Sequence, residues 1–75
     1  MEYTDGVGAI RRIILTSGKT QRGIAGELKR SPTFLSNYLT RGACPSINLG
    51  AEIAKACGWK LQFVRDDGEK IVIRP

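Results

Sequence analysis

Residues 20–42, TQRGIAGELKRSPTFLSNYLTRG, decide how this chain is read. Two apolar stripes at helical spacing run through them: Ile24, Ala25 and Leu28, then Leu35, Tyr38 and Leu39, with Phe34 at the edge. Thr20 is placed to cap the first helix. Ser31-Pro32 marks the start of the second, a capping hydroxyl followed by a proline whose missing N–H costs nothing at the first helical position. Gly23 and Gly26 each cost about 1 kcal/mol of helix propensity, so the first helix depends on packing, and Ala25 is small where the second must cross closely. The expectation is two short helices joined by a tight corner. On the outward side of the second, Pro32, Thr33, Ser36, Asn37 and Thr40 gather into a polar, nearly uncharged face flanked by Lys29, Arg30 and Arg41.

Charge follows the same stretch. The chain carries a net +5, and in residues 19–42 five cations (Lys19, Arg22, Lys29, Arg30, Arg41) meet only Glu27, a local +4. A basic element of this kind suits phosphate, because counterions released on contact supply sequence-independent affinity. Gln21 and Arg22 occupy the first turn after Thr20, where free backbone N–H groups attract anions. Lys19, Thr20, Gln21, Arg22, Lys29, Arg30 and Arg41 are therefore the candidate phosphate contacts. The neutral polar face is the candidate base reader, since short hydrogen-bonding groups meet base edges while cations hold the backbone. An ordinary solvated face would more often carry Glu and Lys pairs.

Working outward, residues 1–5 read as an arm or lead-in, with Thr4 or Asp5 the N-cap of a helix. Val7, Ile10, Ile13 and Ile14 form its core stripe, Arg11 and Arg12 fall on the other side, and Gly18 sits where a left-handed stop belongs. Beyond Gly42 and a short loop, Ser46 caps a further helix with Ile47, Ile53, Ala54 and Cys57 inward. Leu49 fits that stripe less well, and Gly58 ends the helix. The period then becomes alternating: Leu61 and Phe63 oppose Lys60 and Gln62, Asp66-Asp67-Gly68 makes a turn, and Ile71 and Ile73 alternate with Lys70 and Arg74. This predicts a β-hairpin, or at least two short strands, at residues 59–75 behind a helical domain at 1–58. An isolated hairpin is marginal in water, and its apolar face and edge need cover. Pairing of Leu61, Phe63, Ile71 and Ile73 with the same hairpin of a second chain supplies that cover; folding back on its own helices is the other solution.

Bulk properties limit the remaining possibilities. Seventy-five residues make one domain with a small core. An apolar fraction of 41% with 25% charged residues fits a folded rather than a disordered chain. No apolar run approaches the roughly 20 residues of a bilayer crossing, and no leader is read at the start, so a cytoplasmic protein is expected. With Cys44 and Cys57 as the sole cysteines and no histidine, zinc lacks ligands and catalysis lacks its commonest general base. The cysteines read as reduced, small apolar residues, a disulfide being open only to an exported protein. No nucleophile–base pair or carboxylate pair stands out. The expectation is a non-enzyme without metal or cofactor.

Thr20-Gln21, the Ile24-Ala25…Leu28 spacing, Ser31, Leu35-Ser36, Tyr38, Pro45-Ser46 and Ile53-Ala54-Lys55-Ala56-Cys57-Gly58 resemble, in order and spacing, the Cro/repressor (XRE) family of helix-turn-helix regulators. The resemblance covers residues 10–64 and includes the Lys60-Leu61-x-Phe63-Val64 strand of some short members. It implies a mainly α, four-to-five-helix, lambda-repressor-like DNA-binding domain with a C-terminal β-hairpin. It also implies a sequence-specific transcriptional regulator of double-stranded DNA, a repressor acting as a homodimer on a near-palindromic operator. By the same resemblance Gln21 falls where a phosphate is bound, and Pro32, Thr33, Ser36 and Asn37 fall where the third helix meets bases. Pro32 departs from the usual long polar residue and offers an apolar contact, such as to a thymine methyl. Lys29 stands where a corner glycine is common and Arg30 where a small apolar residue is usual. Gly50 replaces a leucine, with Leu49 one position early, and the loop before Gly42 is longer by one residue. The alternative is an antitoxin-like interaction module whose hairpin binds a toxin-like partner protein.

Overall fold

The computed structural model describes residues 4–75. Four helices, α1 (Gly6–Thr16), α2 (Gln21–Glu27), α3 (Phe34–Arg41) and α4 (Ile47–Ala56), precede strands β1 (Gln62–Val64) and β2 (Lys70–Val72). The strands form one antiparallel hairpin, so the fold is mainly α.

Three helix starts follow from capping side chains. Asp5 accepts a hydrogen bond from Gly8 N–H at 2.7 Å, Thr20 from Gly23 N–H at 2.9 Å, and Ser46 from Leu49 N–H at 3.2 Å. Each satisfies a donor that the first helical turn leaves open. The start of α3 corrects the expectation at Ser31-Pro32. Phe34 N–H bonds the Ser31 carbonyl at 3.0 Å, an i→i+3 turn, and the i→i+4 ladder opens only with Asn37 N–H on the Thr33 carbonyl at 3.0 Å. Thr33 is the N-cap, at φ −97° and ψ 3°, and its side chain caps nothing. The chain thus makes one tight turn through Pro32 before it enters the helix.

The corner before that turn is also specific. α2 ends in a Schellman arrangement, with Lys29 N–H on the Gly26 carbonyl at 3.0 Å and Arg30 N–H on the Ala25 carbonyl at 2.9 Å. Closing it requires a left-handed residue, and that residue is Lys29 at φ 57°, the non-glycine with positive φ among the described residues. A side chain there costs roughly 1–2 kcal/mol relative to glycine. α4 closes identically on Gly58, through Gly58 N–H to Lys55 and Trp59 N–H to Ala54.

All four helices contribute to one core. Ile14, Ile24, Leu35, Leu49 and Ile53 form its buried cluster, with Ile10, Ile13, Leu28, Phe34, Tyr38, Leu39, Ala56 and Cys57 packed around it. In α4 the inward set differs from the expected one: Leu49 is 8% exposed and Ile47 55%. The Ser46 cap fixes the helix phase, so Leu49, Gly50, Ile53, Ala54 and Cys57 share a face at i, i+1, i+4, i+5 and i+8. Ile47, two positions before Leu49, points the other way. Gly50 is buried where Leu61 approaches; a Cβ there would stand 3.6 Å from Leu61 Cδ2.

The hairpin register pairs Gln62 with Val72, Phe63 with Ile71 and Val64 with Lys70, and Ile73 N–H bonds the Leu61 carbonyl at 2.8 Å. Leu61, Phe63, Ile71 and Ile73 therefore share a face, as their alternation predicts. Leu61 and Ile73 are half-buried at the base, whereas Phe63 and Ile71 are exposed. The opposite face is not wholly polar, because Val64 and Val72 join Gln62 and Lys70 there and are exposed too. At the tip, Gly68 takes φ 97°, and Asp67 accepts from the Arg65 guanidinium at 2.7 Å and from Glu69 N–H at 3.0 Å. The Arg65 contact, helped by Glu69 N–H, holds the Asp67 carboxyl below the usual carboxylate range. Among the described residues, no helix is long and apolar enough to cross a membrane.

Candidate nucleic-acid interface

The rotation of α3 is set by its inner side. Leu35 is buried, and Phe34, Tyr38 and Leu39 are half-buried against the core. Thr33, Asn37 and Thr40, spaced i, i+4 and i+7, fall together on the far side, and all three are exposed. Pro32 is exposed in the turn that leads into them. The Asn37 carboxamide bonds no other described residue, which leaves its donor and acceptor open. Ser36 behaves differently from the other expected readers: it is half-buried, and its hydroxyl donates to the Thr33 carbonyl at 3.0 Å. It props the first turn of α3.

One border of this strip is a ladder of charges and rings. The Phe34 and Tyr38 rings meet with centroids 5.0 Å apart at 60°. The Arg30 guanidinium carbon lies 5.0 Å from the Phe34 centroid, and that of Arg41 lies 5.3 Å from the Tyr38 centroid. Each cation–π contact at an exposed site contributes about 0.5–1 kcal/mol, enough to bias a flexible side chain without neutralising it. Two guanidiniums are thereby held beside a neutral polar strip.

At the C-terminal end of the strip, Arg11, Ile14, Leu15, Gln21, Leu39 and Thr40 line a shallow cleft of about 300 Å³. It brings the expected phosphate contact Gln21 beside the expected reader Thr40. It also brings Arg11, a residue the sequence did not mark. Arg11 Nη2 donates to the Leu39 carbonyl at 2.6 Å, braces α1 on α3, and sets a cation at the negative end of the helix. The contact spans 28 residues of sequence, and no local pattern announces it.

The remaining basic residues divide. Arg22 is exposed on α2. Lys19, expected on phosphate, is committed internally: its ammonium bonds Glu27 at 2.9 Å and the Ala56 carbonyl at 2.8 Å, strapping α2 to the end of α4. Lys29 lines a cleft with Glu27, Glu52 and Lys55, on the side that faces α4. The Thr20 hydroxyl is engaged as the cap of α2. Because Lys19 neutralises Glu27, the other four cations of this segment leave its charge uncompensated. Both cysteines are free thiols. Burial pushes the Cys57 thiol up, against the lowering effects of the Ser17 hydrogen bond and the Lys19 charge.

Compared with models of protein families, with curated proteins and with solved structures, the chain gives no significant match.

Proposed function

We propose that this protein is a sequence-specific regulator that binds double-stranded DNA through a lambda-repressor-like helix-turn-helix, α2 and α3, of the Cro/repressor type. The observation that carries this reading is the exposed Thr33–Asn37–Thr40 strip beside the ring-held guanidiniums of Arg30 and Arg41. A helix is about 10–12 Å across with its side chains, and the major groove is about 12 Å wide. Set into that groove, α3 turns its neutral groups to base edges and its bordering arginines to the phosphate walls. Arg22 and Gln21 reach the backbone from α2, and Arg11 joins them at the far end. Phosphate contacts fix register and orientation, while the strip supplies the discrimination.

The protein acts as a homodimer joined by its hairpins. Phe63 and Ile71 expose an apolar face that a second hairpin covers, and two α3 helices then meet half-sites about 34 Å apart, one turn of DNA. The exposure of Val64 and Val72 on the other face also suits a second reading, in which the hairpin holds a different, toxin-like protein. Mass in solution separates the two, because a stable monomer at high concentration removes the homodimer.

Binding of a labelled duplex pool at several salt concentrations tests the DNA reading. Three or four phosphate contacts per chain predict a log–log slope near −0.9 per contact, so roughly −5 to −7 for the dimer. Salt-independent or absent binding contradicts the proposal.

A further inference from the structure

The strip on α3 also limits which bases it can recognise. Its exposed groups are the Asn37 carboxamide, the hydroxyl and methyl of Thr33 and of Thr40, and the Pro32 ring. In the major groove, guanine is selected by Arg or Lys donors to O6 and N7, and cytosine N4 by a carboxylate. Adenine is selected by a carboxamide on N6 and N7, and the thymine methyl by apolar groups such as a threonine methyl. The strip holds the adenine and thymine types; the hydroxyls of Thr33 and Thr40 bond either base, and no group in it selects guanine or cytosine.

The neighbouring arginines do not change this inventory. Arg30 and Arg41 lie against the Phe34 and Tyr38 rings, on the border of the strip rather than across it. Arg11 is anchored on the Leu39 carbonyl. Gln21, in the cleft beside Thr40, serves the backbone and adds no guanine- or cytosine-selecting group. The Ser36 hydroxyl donates to the Thr33 carbonyl.

We infer that the base pairs contacted by α3 are A·T pairs, with adenine on Asn37 and thymine methyls on Pro32 and Thr33. This rests on the DNA-binding reading above and adds the base class of the site. A G·C pair opposite Pro32 presents a polar edge to a ring that cannot bond it. Such unpaired groups are what disfavour a wrong base.

The test starts with selection from a randomised duplex pool by the intact protein. The expected product is a half-site with A·T pairs at its contacted core. Two single-atom or single-group changes are then made in that duplex: deoxyuridine for thymine, which removes only the methyl, and 7-deazaadenine for adenine, which removes only the N7 acceptor. Each should weaken binding several-fold, and a G·C pair opposite Asn37 should weaken it about 5- to 150-fold. Asn37→Ala should erase the sensitivity to 7-deazaadenine and keep the sensitivity to deoxyuridine. A selected core of G·C pairs, or a core indifferent to both base changes, overturns the A·T assignment and leaves DNA recognition standing. If no sequence is enriched over the pool, DNA recognition itself fails, and the base assignment falls with it.

Discussion

The helical body and the hairpin treat their apolar side chains in opposite ways. Ile24, Leu35 and Ile53 are no more than 1% exposed, whereas Phe63 and Ile71 stand 57% and 60% exposed on a sheet of two short strands. The body buries a shared cluster at its centre, though Leu15 and Ile47 on its surface stay exposed. Neither strand of the hairpin buries a side chain fully, although its register, its Gly68 turn and its Arg65–Asp67 contact are well formed. Local hydrogen bonding thus specifies the hairpin's shape, while the described residues leave Phe63 and Ile71 on its apolar face uncovered. For a protein proposed to read two half-sites, that division places reading in the helices and pairing in the strands.

The largest expected effect lies in the body. Ile24→Ala should cost about 2–5 kcal/mol of unfolding free energy, a large part of what so small a domain has. Phe63→Ala, measured by denaturation at high dilution, should cost well under about 1 kcal/mol. Equal losses would mean that Phe63 is core, and the contrast between the regions would be lost. Next in size is the double substitution Phe63→Ser with Ile71→Ser. It should convert a dimer to a monomer in sedimentation at unchanged helical circular dichroism, and a dimer that survives it must use another surface.

How far the sequence revealed these features depended on the range of the interactions behind them. The caps Thr20 and Ser46, the cap at Thr4 or Asp5, and the helix stops at Gly18 and Gly58 act within a few residues, and each is legible in the sequence. So is the shared face of Leu61, Phe63, Ile71 and Ile73, because strand alternation is local. Leu49 rather than Ile47 lies inward because it stands four positions before Ile53, on the same helix face, whereas Ile47 stands six before and falls off it. The start of α3 was misplaced because Ser31-Pro32 satisfies a helix-start pattern that an i→i+3 turn satisfies equally. Arg11 on Leu39 and Lys19 on Ala56 join residues 28 and 37 positions apart, beyond the reach of any local pattern. In the ladder of Arg30, Phe34, Tyr38 and Arg41, the last three have spacings of four and three that α3 makes adjacent, while Arg30 reaches Phe34 from the corner before the helix. Its members were nonetheless assigned separately, as cations and core.

Smaller effects follow from single positions in the body. Lys29→Gly relieves the left-handed corner of a side chain and should raise stability by about 1 kcal/mol. An unchanged or lower midpoint in chemical denaturation would mean that Lys29 gains enough elsewhere to offset its backbone conformation. The smallest effect concerns the thiols. Cys44 is exposed, while Cys57 is half-buried in the core surround and its thiol is pushed up by burial, so less thiolate is present at neutral pH. A thiol reagent should label Cys44 first and Cys57 only slowly. Equal rates would place Cys57 on an opening surface.

The decisive quantity is the specificity ratio of two variants, each compared with the parent on a selected duplex and on random duplex at one salt concentration. Asn37→Ala should lose most of the preference for the selected site and keep the weak general binding, whereas Arg22→Ala should weaken both duplexes alike and preserve the ratio. If Asn37→Ala binds both duplexes as the parent does, α3 does not read DNA through this strip.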